Sequence, residues 1–421
     1  MSDPDVISLV RRAADAVARR SYGKLVANQA VHTRDVSAAE DALSEAFATA
    51  LTDWPLRGTP ANPEAWLLTV ARRKAIDVAR HQHSGDVVTA QLQVLAEGEH
   101  AALAEDAFPD YRLGLLFACA HPSIDAGIRA PLMLQAVLGL DAKRIASAFL
   151  VALATMGKRL VRAKDKIREA SIPFRVPERD EMPSRLKAVL DAIYIAFAEG
   201  WTDADGTDVV RSDLTDEAIF LARLVTELLP HEAEALGLLA LLLHAQARRN
   251  ARRNAQGDYV PLAEQDPARW NSSMIDEAEA LLLHASKLGS IGRFQLEAAV
   301  QSAHIHGCRV GQADWPALVR LYDALTLLTG SPVVAINRAL AIAALHGAEA
   351  ALAAMPTPAN DQRLADYQPY WAARADLLAR TGACLEANHA YDLAIGLERD
   401  PAVRRFLQQR QAAMGSKLSG A

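Results

Sequence analysis

"LDAKRIASAFLVALATMGKRLVRAKDKIREA", residues 140–170, decides how the chain is read. Asp141 is a good N-cap for a first helix that carries Ile145, Ala148 and Phe149 inward. A short break at Leu150–Ala152 follows. The second helix then places Leu153, Met156, Leu160, Ala163 and Ile167 at steps of three, four, three and four, one apolar stripe at helical spacing. Thr155, Lys158, Arg159, Arg162 and Lys166 fall mostly off that stripe. A helix that packs on one side and offers cations on the other suits a DNA major groove. Taken alone, the segment also fits an ordinary helical hairpin with a solvated basic face.

The surrounding chain sharpens the choice. At 421 residues there is room for two or three domains, and 51% of the residues are hydrophobic, so large cores can form. Helix formers dominate and β-branched alternation is nearly absent, which predicts an all-α fold. Cys119, Cys308 and Cys384 are far apart and odd in number; they fit no zinc spacing and point to a reducing cytoplasm. No apolar run approaches the ~18 residues of a membrane span. The start "MSDPD" lacks the basic stretch of a signal peptide. Net charge is −6 overall but is unevenly spread. Residues 1–90 are neutral, 91–120 carry −4, 121–177 carry +6 and 178–421 carry −8. Positive charge is concentrated where phosphate neutralisation would need it.

Three helical patterns open the chain. The first covers 5–31. The second starts at the capping box Ser37-x-x-Glu40 and runs to Trp54, with Glu40, Asp41, Ser44 and Glu45 on its outer face. The loop "PLRGTPANP" breaks it, and Asn62-Pro63-Glu64 starts the third. That helix turns Trp66, Leu67, Val70 and Ile76 inward and Arg72, Arg73, Lys74 and Arg80 outward. Residues 82–107 read as an acidic linker, and three prolines in "SIPFRVPERDEMPSR" mark a second boundary. Beyond it lies a run of helical hairpins. Trp371-x3-Ala375-x2-Leu378-x3-Gly382-x4-Ala387-x3-Tyr391-x2-Ala394 has the tetratricopeptide spacing, and a weaker copy spans 315–346. The cluster "ARRNARRN" at 247–254 is expected to pair with Glu264, Asp266 and other acids, with a second nucleic-acid patch as the alternative. His304 and His306 stand near Cys308 without a full metal ligand set.

Together these parts resemble an extracytoplasmic-function (group IV) RNA polymerase sigma factor, of the subgroup with a C-terminal tetratricopeptide-like extension. The resemblance rests on "DVSAAEDALSEAFATALTDW" and "NPEAWLLTVARRKAIDVAR" for region 2. For region 4 it rests on "DAGIRAPLMLQAVLGLDAKRIASAFL" and "ATMGKRLVRAKDKIREASIPFRVP". In the extension it rests on "AVLDAIYIAFAEGW", "EAEALGLLALLLHAQARRNAR", "LAEQDPARWN" and "SPVVAINRALAIA". It implies region 2 at 1–85, an acidic linker at 86–110, region 4 at 111–177 and a helical extension at 180–421.

The resemblance also implies roles. Glu40, Asp41 and Glu45 would dock on the clamp helices of the polymerase β′ subunit. Trp66, Arg72, Arg73, Lys74 and Arg80 would engage the minus-ten element, with residues 57–62 as a base-pocket loop. Thr155, Lys158, Arg159, Arg162 and Lys166 would face the minus-thirty-five element. Trp66 reads equally well as plain core. The implied partners are core RNA polymerase, promoter DNA and a protein on the repeat domain; no cofactor, metal or membrane is implied. The chain shows no Gly-rich phosphate loop and no nucleophile motif, so an enzyme is not expected. The alternative reading is a helix-turn-helix regulator whose repeat domain binds a peptide or protein. The acidic extension is expected to pack on the sigma domains, either occluding the DNA face or scaffolding it.

Overall fold

A computed structural model describes residues 4–82, 110–137, 139–149, 151–178, 181–201, 208–359 and 361–418. Among these residues the fold is all-α, and no strand forms beyond an isolated bridge between Arg253 and Tyr259. The acidic linker falls outside the described residues, apart from Asp110. The chain divides into two compact units, one of 1–201 with 209–224, the other of 202–208 with 225–421.

In the first unit, α1 (Pro4–Thr33), α2 (Val36–Arg57) and α3 (Pro63–Gln82) pack on one another through Leu25, Val26, Leu43, Trp54, Leu67 and Leu68, all 0–1% exposed. The expected capping box does not form at α2. Asp35 is the cap instead, its carboxylate accepting from the Ser37 and Ala38 amides at 2.8 and 3.2 Å, and Glu40 is drawn elsewhere. At α3 the Asn62 side chain accepts from the Ala65 amide at 3.0 Å, as its position predicts.

Then come α4 (Arg112–Cys119), α5 (Ala126–Ala136), α6 (Ala142–Ala148) and α7 (Leu153–Glu169). Asp141 caps α6 through the Arg144 amide at 2.8 Å. Met156, Leu160, Ala163 and Ile167 of α7 are buried as the stripe requires. Leu153 is not: it opens the helix, residues 152–155 are all exposed, and the packed stripe begins one turn later. Lys164 is buried in the stripe's place between Leu160 and Ile167. Gly23 lets α1 approach the end of α5, since a Cβ there would stand 1.7 Å from the Val137 carbonyl oxygen.

The first unit extends past the proline-rich segment. α8 (Met182–Trp201) packs on α5 and buries Val189, Leu190, Ile193 and Phe197. In α9 (Asp208–Leu228), Glu217 joins Asp110 in holding the buried Arg112 guanidinium, which also lies 4.5 Å from the Phe220 ring centre. Burial pushes the Glu217 carboxyl up against the pull of Arg112, while Asp110, with three Arg112 nitrogens or amides on it, is held low.

The second unit is a series of helices: α10 (Ala233–Ala247), α11 (Ser272–Ser286), α12 (Arg293–Val310), α13 (Trp315–Thr329), α14 (Pro332–His346), α15 (Ala348–Ala354), α16 (Gln368–Thr381), α17 (Cys384–Leu397) and α18 (Pro401–Leu418). Gly382 and Gly330 take left-handed backbone at the turns α16–α17 and α13–α14, the conformation glycine adopts without steric cost. Ala375, Leu378, Ala387, Tyr391 and Ala394 form one buried cluster, with Trp371 packed against it. The 247–254 arginines do not use Glu264 or Asp266. Arg253 pairs with Asp400 at 2.5 Å, Arg248 donates to the His244 carbonyl and the Gln301 side chain, and Asp266 caps a local turn. These contacts staple the loop after α10 to neighbouring helices of its own unit. No group of three or more potential metal-ligating side chains occurs among the described residues; His304 instead lies 3.4 Å from the Tyr322 hydroxyl.

Two expectations follow from this packing. A fragment ending at Pro177 lacks α8 and uncovers the apolar side of α5. It should bind a hydrophobic dye and aggregate where the full chain does not. His244 is fully buried with neither ring nitrogen hydrogen-bonded, and burial drives its pKa down to about 4. Glu279 at 3.5 Å is too exposed to reverse that. The unfolded chain therefore takes up a proton that the folded one refuses. Stability contributed by a neutral His244 is complete above the unfolded value near 6.5 and is lost as pH falls toward 4, by on the order of 3 kcal/mol. Urea titrations of the parent and His244→Leu between pH 7 and 4.5 should show the flatter slope in the variant.

Candidate functional site

The two surfaces singled out by the sequence lie in the first unit. On α7, Thr155, Lys158, Arg159, Arg162 and Lys166 are all exposed, opposite buried Met156, Leu160, Ala163 and Ile167. The alternation follows from helix geometry: the apolar residues recur every three or four positions, which leaves a continuous cationic strip on the far side. Gly157 adds no bulk to this strip, and a Cβ there would meet nothing within 4 Å.

On α2, Asp41 and Glu45 are exposed. Glu40 is not free. Its two carboxylate oxygens accept from Lys164 Nζ at 2.9 and 2.6 Å, with the lysine side chain 10% and the glutamate side chain 21% exposed. One turn further along α7, Arg168 reaches Asp35 at 3.5 Å. Behind the pair sits Cys119, fully buried, its thiol pushed up to about 12 by burial, with Lys164 and Glu40 pulling in opposite directions. The acidic face also touches Tyr22, which burial and the charges of Glu40 and Asp41 push up to about 12.

The α3 residues divide. Arg73 is exposed, and Lys74 lies near Glu45 at 3.9 Å, a long and solvated approach. Arg72 corrects the expectation of an outward arginine: it is 6% exposed and donates to the Asn28 side chain at 3.0 Å, because position 72 continues the inner face from Leu68. Trp66 is half-buried against Trp54, ring centres 5.5 Å apart, so part of its indole belongs to the core. The side chain of Arg80 lies outside the described residues. Residues 57–62 form an exposed turn at the end of α2, with Gly58 at φ 85°.

Sequence reasoning passed over Lys164, Arg168 and Asp35. The signal was present. Lys164 stands four residues from Leu160 and three from Ile167, and Glu40 stands four from Val36 and three from Leu43. Each charge therefore lies on the buried stripe of its own helix, and each needs the other.

Comparison with known proteins matches this half of the chain to a described family. A family model described as "Sigma-70 region 2" matches residues 10–84, which span α1 to α3. A second, "Family of unknown function (DUF6596)", matches residues 185–286. A relative from Rhizobium meliloti (strain 1021), "Uncharacterized protein R00370", is 39% identical over 383 residues, covering 90% of each chain. No solved structure matches.

Burial of Arg72 has a direct consequence. Arg72→Ala should destabilise the chain by about 1–3 kcal/mol, since the Asn28 amide loses its partner in the core. Arg73→Ala should stay within about 0.5 kcal/mol of the parent. Urea unfolding followed by circular dichroism separates the two.

Proposed function

The chain belongs to the sigma-70 family, together with the Rhizobium meliloti relative, and on that premise we propose that it is an extracytoplasmic-function-type sigma factor with a tetratricopeptide-like extension. Sigma-70 factors form a non-enzymatic class that acts in transcription initiation with core RNA polymerase and promoter DNA. No helix among the described residues is long and apolar enough to cross a membrane.

The observation that carries the finer reading is α7. Its five exposed polar and basic residues, Thr155, Lys158, Arg159, Arg162 and Lys166, stand opposite a buried apolar stripe and follow a short capped helix, α6. This arrangement suits insertion into the major groove of a minus-thirty-five element. Arginine reads guanine through two parallel bonds, whereas lysine and threonine more often hold phosphate. The exposed Arg73 and Lys74 of α3 supply cations for the strand opened at the minus-ten element. Arg72 acts behind them by fixing α3 on α1. The acidic residues of α2 serve as the docking face for a basic surface of the polymerase clamp, where complementary charge raises association rate and fixes orientation. The second unit, with its packed helical hairpins, serves as a regulatory or scaffolding module for protein partners.

The test is transcription in vitro with core polymerase and the full chain on a library of promoters. Promoter-dependent initiation should appear with the parent. Arg159→Ala and Arg162→Ala should each lower it. A residue that reads a base should cost about 1–3 kcal/mol and relax preference at one position. One that holds phosphate should cost similarly on every sequence and flatten the salt dependence. Full activity in both variants would remove α7 from promoter recognition. Reversing charge at Asp41 and Glu45 together should weaken binding to core polymerase while leaving helix content unchanged.

A further inference from the structure

We infer that the free chain is latched shut: Lys164 and Arg168 of the DNA-facing helix tie up the start of α2, and this contact competes with polymerase for the acidic face of α2. The inference rests on the reading of α2 as the polymerase-docking helix and adds a means of regulating it.

Two ion pairs define the latch. Lys164 holds Glu40 through both carboxylate oxygens, and Arg168 approaches Asp35 at 3.5 Å. Residue numbers rise along one helix as they fall along the other, so α7 and the first turns of α2 run antiparallel. Both ends of the inner pair are largely shielded from water. Asp35 is at the same time the N-cap of α2, so the contact is anchored to the start of that helix.

The chemistry of the contact suits an interface that opens. A buried ion pair gains little over apolar side chains of similar size, because desolvation cancels much of the attraction. When the helices part, both charges recover hydration, a compensation that a leucine pair would not have. The closed state also leaves handles for its own opening. Asp41 and Glu45 stay exposed on α2, and the cationic strip of α7 faces away from the latch. Polymerase can therefore meet the outer acids first and reach Glu40 only by displacing Lys164.

Geometry demands the opening. Elements named minus-ten and minus-thirty-five lie about 25 base pairs apart, or roughly 85 Å along B-form DNA at about 3.4 Å per step. A compact unit of about 200 residues has a radius of gyration of only about 17 Å. While Lys164 touches Glu40, α3 and α7 cannot occupy both elements together. If closed molecules outnumber open ones about tenfold, apparent polymerase affinity falls by the same factor.

The test measures binding of the full chain to core RNA polymerase by anisotropy for the parent, Lys164→Gln and Arg168→Ala. Lys164→Gln should bind up to about tenfold more tightly than the parent, and Arg168→Ala, at a more exposed pair, by a smaller factor. In parallel, a donor and an acceptor are placed at Thr52→Cys and Glu169→Cys in a chain with Cys308 and Cys384 replaced by serine; Cys119 is fully buried and stays unlabelled. Energy transfer between the labels should drop when core polymerase is added. Equal or weaker binding by both variants, or unchanged transfer on binding, overturns the latch and leaves the sigma reading standing. Failure of parent and variants alike to bind polymerase overturns the reading beneath it and the latch together. Should Lys164→Gln unfold by circular dichroism, Arg168→Ala and the label distance decide the matter.

Discussion

A lysine in the middle of an apolar stripe is the constraint that organises the first unit. Lys164 is buried between Leu160 and Ile167, where its ammonium cannot stay charged without a carboxylate. Glu40 meets it from α2, and the geometry of that meeting sets which turn of one helix faces which turn of the other. Apolar burial by Met156, Leu160, Ala163 and Ile167 supplies most of the driving force, at about 25 cal/mol per Å² removed from water. That force has no preferred register. The ion pair supplies one, as single polar groups do at other helix interfaces.

The same constraint explains how charge is distributed. Basic residues of α7 that are not needed inside lie on the outer strip, and acids of α2 that do not meet Lys164 remain in water. Opposite charges thus occupy two separate surfaces of one unit, a condition for meeting a basic protein face and an anionic duplex without cancelling each other. Arg72 belongs to neither surface. Its bond to Asn28 holds α3 against α1 and so positions the exposed Arg73 beside it.

Much of this was legible in the residues. Helical periodicity gave the buried stripe of α7, the exposed strip beside it, the Asn62 and Asp141 caps, and the glycine turns at 330 and 382. All of these are local: each depends on residues within a turn or two. The misreadings were at long range or at helix ends. The Ser37–Glu40 box failed because Glu40 had a stronger partner 124 positions away. Leu153 matched the stripe by spacing but precedes the packed turns. Arg72 looked outward because three cations in a row suggest a solvated face, yet a helix must turn one of three consecutive residues inward. The partners of the 247–254 arginines failed for the same reason, since Asp400 is remote in sequence.

Proline spacing near 173–183 also suggested where the sigma-like half should stop, and packing places the division later. Val189, Leu190, Ile193 and Phe197 of α8 are 0–4% exposed within the first unit, and Glu217 of α9 helps neutralise the buried Arg112 at the start of α4. The matched family of unknown function begins at residue 185, so its first helix is structural material of the sigma-like unit. A chain that completes one core with the opening helices of the next family cannot lose that family without exposing the core. The extension is therefore, in part, a condition for the stability of the half that meets DNA, whatever further partners its remaining hairpins take.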